Sequence, residues 1–314
     1  MDRSRKKILI TGSNGLLGQK LIYNLLQRGN FDIIATSKGE NRLIRRDGYI
    51  YEPLDITSRD EVFALFHKYL PDVVINTAAM TNVDACETKR EECLALNVTA
   101  VQHLVDACWD IAEKDPIVNT HLIHLSTDFI FDGTAGPYKE DDQPNPLSYY
   151  AATKLESEKI VRESKLKWAI VRTIIVYGIV DHMSRSNIVL WAKDALAKGQ
   201  TINVVDDQFR SPTLAEDLAE GCLLAAEKGA TGIFHVSGKD TMSILELVHR
   251  VADFWKLDKS LVKPSKSDSL NQPAKRPPRT GFIIDKAIRE LGYAPHSFEE
   301  GLAVLNNQLR KGDS

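Results

Sequence analysis

A chain of 314 residues with 43% hydrophobic and 26% charged residues has an ordinary globular composition, which excludes disordered and collagen-like classes. At ~150 residues per domain, the length predicts two domains, or one large α/β unit with an appendage. A formal net charge of −3 advertises neither nucleic acid nor an anionic membrane surface, and no apolar run approaches the ~20 residues of a membrane span.

The N-terminal MDRSRKK has the charge of a signal-peptide start. Only ILI follows it before Thr11 and Gly12, so it reads as a solvated tail entering a strand. Residues 6–12 form that strand. Residues 16–29 form a helix with Leu17, Leu21, Leu25 and Leu26 on one face and Gly29 at its end. Residues 32–37 and 49–55 read as further strands, the latter weaker. A helix at 58–70 starts with Ser58 and Glu61 as a capping box and stops at Pro71. A strand at 72–79 precedes one long helix from about Lys89 to Glu113, carrying Leu94, Val98, Val101, Val105 and Cys108. Then come a strand at 121–128, a helix at 148–164 and a strand at 168–178.

Apolar strands alternating with helices predict a parallel sheet covered on both faces, a doubly wound α/β domain over residues 1–178. Residues 179–314 read as a smaller mixed α/β region, some of whose strands are free to return to the main domain. Its elements are a helix near 188–197, a strand at 202–206, a helix after Pro212, a strand at 232–238 and helices at 243–255 and 298–309. Residues 269–281 (SLNQPAKRPPRTG) are Pro-rich and read as a long loop. Cys86, Cys93, Cys108 and Cys222 show no CxxC pairing and no His cluster. They read as free buried thiols of a reducing compartment, which predicts a cytoplasmic protein without a metal site.

Between the first strand and first helix lies TGSNGLLG, with Gly12, Gly15 and Gly18 in a TGxxGxxG pattern. Glycines there permit a tight turn and let backbone N–H groups approach a pyrophosphate at a helix N-terminus. Such turns also occur for purely structural reasons, and it is the position at the first β–α junction that favours a dinucleotide. No GxxxxGK[ST] is present, which disfavours a P-loop hydrolase. After the second strand an NAD site commonly carries an acid. Here stand Thr36, Ser37 and Lys38, with Arg42 nearby. Ser37 and Lys38 suit a 2′-phosphate, so NADP(H) is expected over NAD(H); Glu40 keeps the alternative of plain loop charges alive.

Tyr150 and Lys154 stand four residues apart, hence on one helix face. A phenol of ordinary pKa near ~10 is a poor base, and a neighbouring ammonium favours its ionised form. The preceding strand ends Ser126–Thr127–Asp128, where a hydroxyl can bond the same carbonyl at the strand edge where ligands bind. His121 and His124, three apart on a strand, face roughly opposite sides and read as core or edge histidines. Trp191 reads as core. Arg210 is a candidate phosphate ligand, against an ordinary loop charge.

With the glycine loop, NTAAMTNVD, STDFIFDG and YYAATK in this order, the chain resembles the extended short-chain dehydrogenase/reductases. RTIIVYG, DDQFRSPTLAEDLAEG, GIFHVSG and KRPPRT are similar to the dTDP-4-dehydrorhamnose reductase group, and the likeness runs from Ile8 to about Leu302. The resemblance implies a Rossmann-type fold and a catalytic triad of Thr127, Tyr150 and Lys154. It further implies Gly12, Asn14, Gly15, Leu16 and Leu17 at the pyrophosphate, and Asp55 and Ile56 at the adenine. Ala78, Ala79 and Thr81 would line the cofactor, and Asn97 would be the helix asparagine related to the active site. Ile175 stands where the rhamnose-forming reductases usually place a Trp on the substrate. The group also contains the regulatory β subunit of methionine adenosyltransferase, which is aliphatic there. The reading is therefore an NADPH-dependent reductase of a nucleotide-linked 4-keto sugar, with Thr127, Tyr150, Ile175 and Arg210 facing substrate. The alternatives are an NADP-binding regulatory subunit and a sugar-nucleotide epimerase, the latter opposed by Lys38. The only expected partner is the nucleotide sugar, with no nucleic acid and no membrane; a homodimer and a bound Mg²⁺ are left open.

Overall fold

The structure is a computed structural model that describes residues 5–115, 117–182, 186–270 and 272–312. Residues 1–4, the start of the expected tail, and Asn271 of the expected Pro-rich loop lie outside the described residues. Strands β1 (Lys6–Thr11), β2 (Phe31–Ser37), β3 (Ile50–Pro53), β4 (Val73–Asn76), β5 (His121–Thr127) and β6 (Lys167–Thr173) pair in parallel. Four short strands follow, β7 (Val176–Tyr177), β8 (Ile202–Val205), β9 (Phe209–Arg210) and β10 (Thr213–Leu214), then β11 (Gly232–His235), β12 (Met242–Ser243) and β13 (Val262–Ser265). The main sheet has seven strands in the order β11-β6-β5-β4-β1-β2-β3, all parallel.

Alternation along β1 shows why both faces must be covered. Ile8 and Ile10 point to one side, into a cluster with Leu21, Ile22 and Leu25 of helix α1 (Leu16–Arg28). Leu9 points to the other, against Val62 and Phe66 of α2 (Arg59–Tyr69). Strands buried on both sides read as continuous apolar runs, and helices supply both covers. This is the doubly wound, Rossmann-type sheet that the alternation predicts. Among the described residues, no helix is long and apolar enough to cross a membrane.

Two elements depart from the local expectation. After a short α3 (Val83–Thr88), the single helix expected over 89–113 is three pieces, α4 (Arg90–Leu94), a π-helical turn (Ala95–Thr99) and α5 (Ala100–Lys114). A π turn widens the helix by one residue and re-aims a side chain, here Asn97. The strand expected over 168–178 leaves the sheet after Thr173 and resumes only as β7, because Ile175 adopts φ 24. A β-branched residue is strained in that region.

The chain also does not keep to a border at Gly178. After α6 (Tyr149–Glu163) and α7 (Ile188–Ala197), helix α8 (Ala215–Lys228) packs on α1, and β11 closes the sheet beside β6. The smaller region is what remains. There α7, α9 (Ile244–Trp255) and α10 (Phe298–Gly312) enclose a second core with the β8–β13 pair, around Leu190, Val204, Val248, Val251 and Leu302.

Candidate active site

Parallel strands deliver their C-terminal ends to one edge, and the groups singled out by sequence meet there. Gly12 sits at φ 68, and a Cβ on it would stand 2.8 Å from Thr77 Oγ1 and 2.9 Å from the Ala78 nitrogen. Gly15 caps α1 with no side-chain bond, which leaves the helix N-terminus to backbone donors. A Cβ on Gly18 would stand 2.4 Å from the Gly12 carbonyl oxygen and 2.6 Å from Ser13 Cα. Gly18→Ala is therefore expected to cost about 1–3 kcal/mol of stability, read from chemical denaturation. An unchanged midpoint would show that the turn has slack.

Asn14, expected at the pyrophosphate, spans two loops. Its Nδ2 donates to the Glu40 carbonyl at 2.8 Å, and its Oδ1 accepts from the Arg42 nitrogen at 2.8 Å. Ser37 ends β2, and its carbonyl accepts from the Leu54 nitrogen. Lys38 is exposed and pairs with Asp55 at 2.6 Å. The Lys38 ammonium, helped by the Thr57 hydroxyl, holds the Asp55 carboxyl down to about 2. Ile56 is buried under α2 and α5. Ala78 donates its N–H to Thr11 Oγ1, whereas Ala79 and Thr81 line the main cavity. Asn97 is buried: its Oδ1 accepts from the Met80 nitrogen at 2.8 Å, and its Nδ2 donates to Thr153 Oγ1 at 3.2 Å. It thus ties the loop after β4 to α6 without lining the cavity.

A cavity of about 570 Å³ runs from Gly15, Leu16 and Leu17, past Thr127, Tyr150 and Lys154, to Ile175, Gln208, Arg210 and Arg276. Ser148 caps α6, its Oγ accepting from the Ala151 nitrogen. That cap starts the helix just where Tyr150 and Lys154 share its inner face. Lys154 Nζ donates to the Leu125 carbonyl at 2.7 Å. Burial brings its ammonium down to about 8, with the Glu158 carboxylate pulling the other way. Burial also raises the Tyr150 phenol above its ordinary value, and the Thr127 hydroxyl bond only partly offsets this. Desolvation therefore outweighs the lowering of the tyrosine expected from the lysine. The neutral phenol is a proton donor.

Arg210 lines the cavity, and both of its terminal nitrogens donate to backbone carbonyls. Nη1 donates to the Phe209 carbonyl at 2.7 Å, Nη2 to the Pro277 carbonyl at 2.8 Å, and Nε lies 3.8 Å from Asp128 Oδ2. It fastens the Pro-rich loop to β9. Sequence reasoning missed Asp128, which is fully buried beside Thr127 and accepts from the Thr127 and Thr280 hydroxyls. It also missed Arg276, which lines the cavity and whose Nη2 pairs with Asp84 at 2.6 Å. Position next to Thr127 was the available signal for Asp128; nothing local marks Arg276.

The site can hold a dinucleotide at the glycine loop and present a proton donor, a polarising hydroxyl and a buried cation to a carbonyl beside it. The family description "RmlD substrate binding domain" matches residues 6–311. A probable low-salt glycan biosynthesis reductase, Agl14, from Haloferax volcanii is 32% identical over 94% of this chain and 96% of its own length. Methionine adenosyltransferase 2 subunit beta from Bos taurus is 31% identical over 87% of this chain and 78% of its own. The crystal structure of dTDP-4-dehydrorhamnose reductase from Bacillus anthracis in complex with NADP superposes with a TM-score of 0.83 at 27% identity. That match covers 97% of this chain and 99% of the other.

Proposed function

Since the chain belongs to the RmlD substrate-binding-domain family, we propose that it is an NADPH-dependent reductase of a nucleotide-linked 4-keto sugar, of the dTDP-4-dehydrorhamnose reductase type. The observation that carries this reading is the convergence of Thr127, Tyr150 and Lys154 on one cavity whose far end is the glycine loop. The absence of room for a Cβ at Gly12 and Gly18 fits a loop shaped for close backbone approach to a pyrophosphate. When bound, the nicotinamide supplies the hydride. Tyr150 then gives its hydroxyl proton to the carbonyl oxygen, and the Thr127 hydroxyl, turned from Asp128 to the substrate, donates a second hydrogen bond that polarises it. Lys154 would hold the cofactor ribose and, as a buried cation, would stabilise the phenolate left on Tyr150.

The test is direct: purified chain, NADPH and dTDP-4-dehydrorhamnose, followed by loss of NADPH absorbance. Turnover supports the reading. Lys38 adds a sharper expectation, because its exposed ammonium can leave Asp55 for a 2′-phosphate. NADPH should bind at least ~10-fold more tightly than NADH, a difference of ~1.4 kcal/mol, and Lys38→Ala should erase most of it. Equal affinities in the unaltered chain would remove that role from Lys38.

A second reading rests on Ile175, an aliphatic residue lining the cavity, together with the methionine adenosyltransferase relative. It is a cofactor-binding regulatory protein. Tight NADPH binding with no consumption by any keto sugar nucleotide would decide for it.

A further inference from the structure

Behind the triad lies a buried chain of polar groups that the reduction itself does not require. Thr11 Oγ1, at the end of β1, accepts from the Ala78 nitrogen at 3.4 Å and lies 2.6 Å from Asn76 Oδ1. That length belongs to an O–H···O bond and is short for N–H···O. The hydroxyl therefore donates to the amide oxygen, and the orientation of Asn76 is fixed. Its Nδ2–H then faces His124 Nδ1 at 3.1 Å, so Nδ1 is the accepting nitrogen. The ring hydrogen sits on Nε2, 2.9 Å from Ser157 Oγ, and that hydroxyl donates onward to the Lys154 carbonyl at 2.7 Å. Thr11, Asn76, His124, Ser157 and Lys154 are all buried.

We propose that His124 is a positioning residue for Lys154, locked by Asn76 as the neutral Nε2–H tautomer. It carries the register of the glycine-loop strand through β4 and β5 to the backbone of the catalytic helix. The inference rests on the reductase reading of the triad. The Lys154 ammonium stands 3.4 Å from the same Nε2, where one donor faces another. The imidazole therefore offers it no acceptor, and Nζ turns to the Leu125 carbonyl, keeping its other hydrogens for the cavity. Burial, and then the Lys154 charge, hold the His124 ring far below its ordinary value, in keeping with a neutral ring. A histidine that only filled space would be replaceable by an apolar side chain without effect on the lysine.

Spectra of the full chain labelled with ¹⁵N-histidine read the tautomer without any turnover, His124 being identified by the signal lost in His124→Gln. Hydrogen on Nε2 near neutral pH is expected; an Nδ1–H or doubly protonated ring overturns the proposal. In kinetics, His124→Leu should lower kcat by about 10-fold or more, the scale of effect that misplacing a reacting group has. His124→Gln, whose amide nitrogen can stand where Nε2 stands, should recover most of that. Ser157→Ala breaks the same bridge with a smaller change, and answers if the leucine variant does not fold. Wild-type kcat in both His124→Leu and Ser157→Ala, or in Ser157→Ala alone when the leucine variant is lost, overturns the proposal. If the unaltered chain reduces no keto sugar nucleotide, the reductase reading falls by itself. The spectrum still decides the tautomer, and NADPH affinity of the variants then replaces kcat as the reading of Lys154.

Discussion

Tyr150→Phe is expected to lower kcat by about 10²–10⁴-fold, the usual contribution of a positioned general acid, while NADPH affinity stays close to that of the unaltered chain. The change removes one hydroxyl from a ring that is otherwise held by apolar contacts. Phe129 packs edge-on against it with centroids 6.1 Å apart, and Cys86 and Cys93 close the same small cluster. A phenylalanine keeps those contacts, so loss of turnover would report the proton and not the fold. The proton is available because burial keeps the phenol neutral. Steady-state reduction alongside a fluorescence titration of NADPH separates the two effects. Normal reduction by the variant would sink the mechanism.

Arg172→Met should destabilise the chain by about 3–5 kcal/mol, since it strands a carboxylate in the interior. Arg172 and Glu158 are both buried. Nε meets Oε1 at 2.9 Å and Nη2 meets Oε2 at 2.7 Å, a two-pronged pairing. Arg172 also donates to the Glu140 carbonyl at 3.1 Å and lies over the Phe131 ring. Glu158 is one turn beyond Lys154 on α6, so an uncompensated charge there would disturb the catalytic helix first. Urea unfolding reads the loss, and the double change Glu158→Leu with Arg172→Met should recover much of it. A single-variant loss under about 1 kcal/mol would mean that water reaches the carboxylate.

The residues that meet at the site were legible wherever function requires a fixed spacing on one element. Tyr150 and Lys154 share a face because a helix turn brings i and i+4 together, and Gly12, Gly15 and Gly18 mark a β–α junction. Sequence reading fell short where partners come from far along the chain. The break at Asn97 has no Gly or Pro to announce it; what holds it is the Asn97 bond to Thr153, on a helix that local periodicity cannot relate to it. Ile175 looks like a strand residue in an apolar run, and only the close return of Thr213, whose nitrogen donates to the Ile175 carbonyl, shows that the backbone has turned away. The carbonyls that Arg210 serves, at Phe209 and Pro277, include one in a loop that sequence places nowhere in particular. His124 was placed correctly on its strand, but strand parity says which side a ring faces and nothing about what waits there.

The position of β11 at the edge of the sheet bears on how this chain is made and how it can be cut. Until Gly232–His235 has been synthesised, β6 has no outer neighbour. The backbone groups of Ala169 to Arg172, which β11 pairs in the finished sheet, then face water or another chain. An open, apolar strand edge is a template for unwanted pairing, and a nascent chain passes through that state during translation. A fragment ending at Gly178 would be locked in it permanently, with every triad residue present and the sheet unfinished. The half that carries the chemistry depends, for its solubility, on four residues from the half that does not.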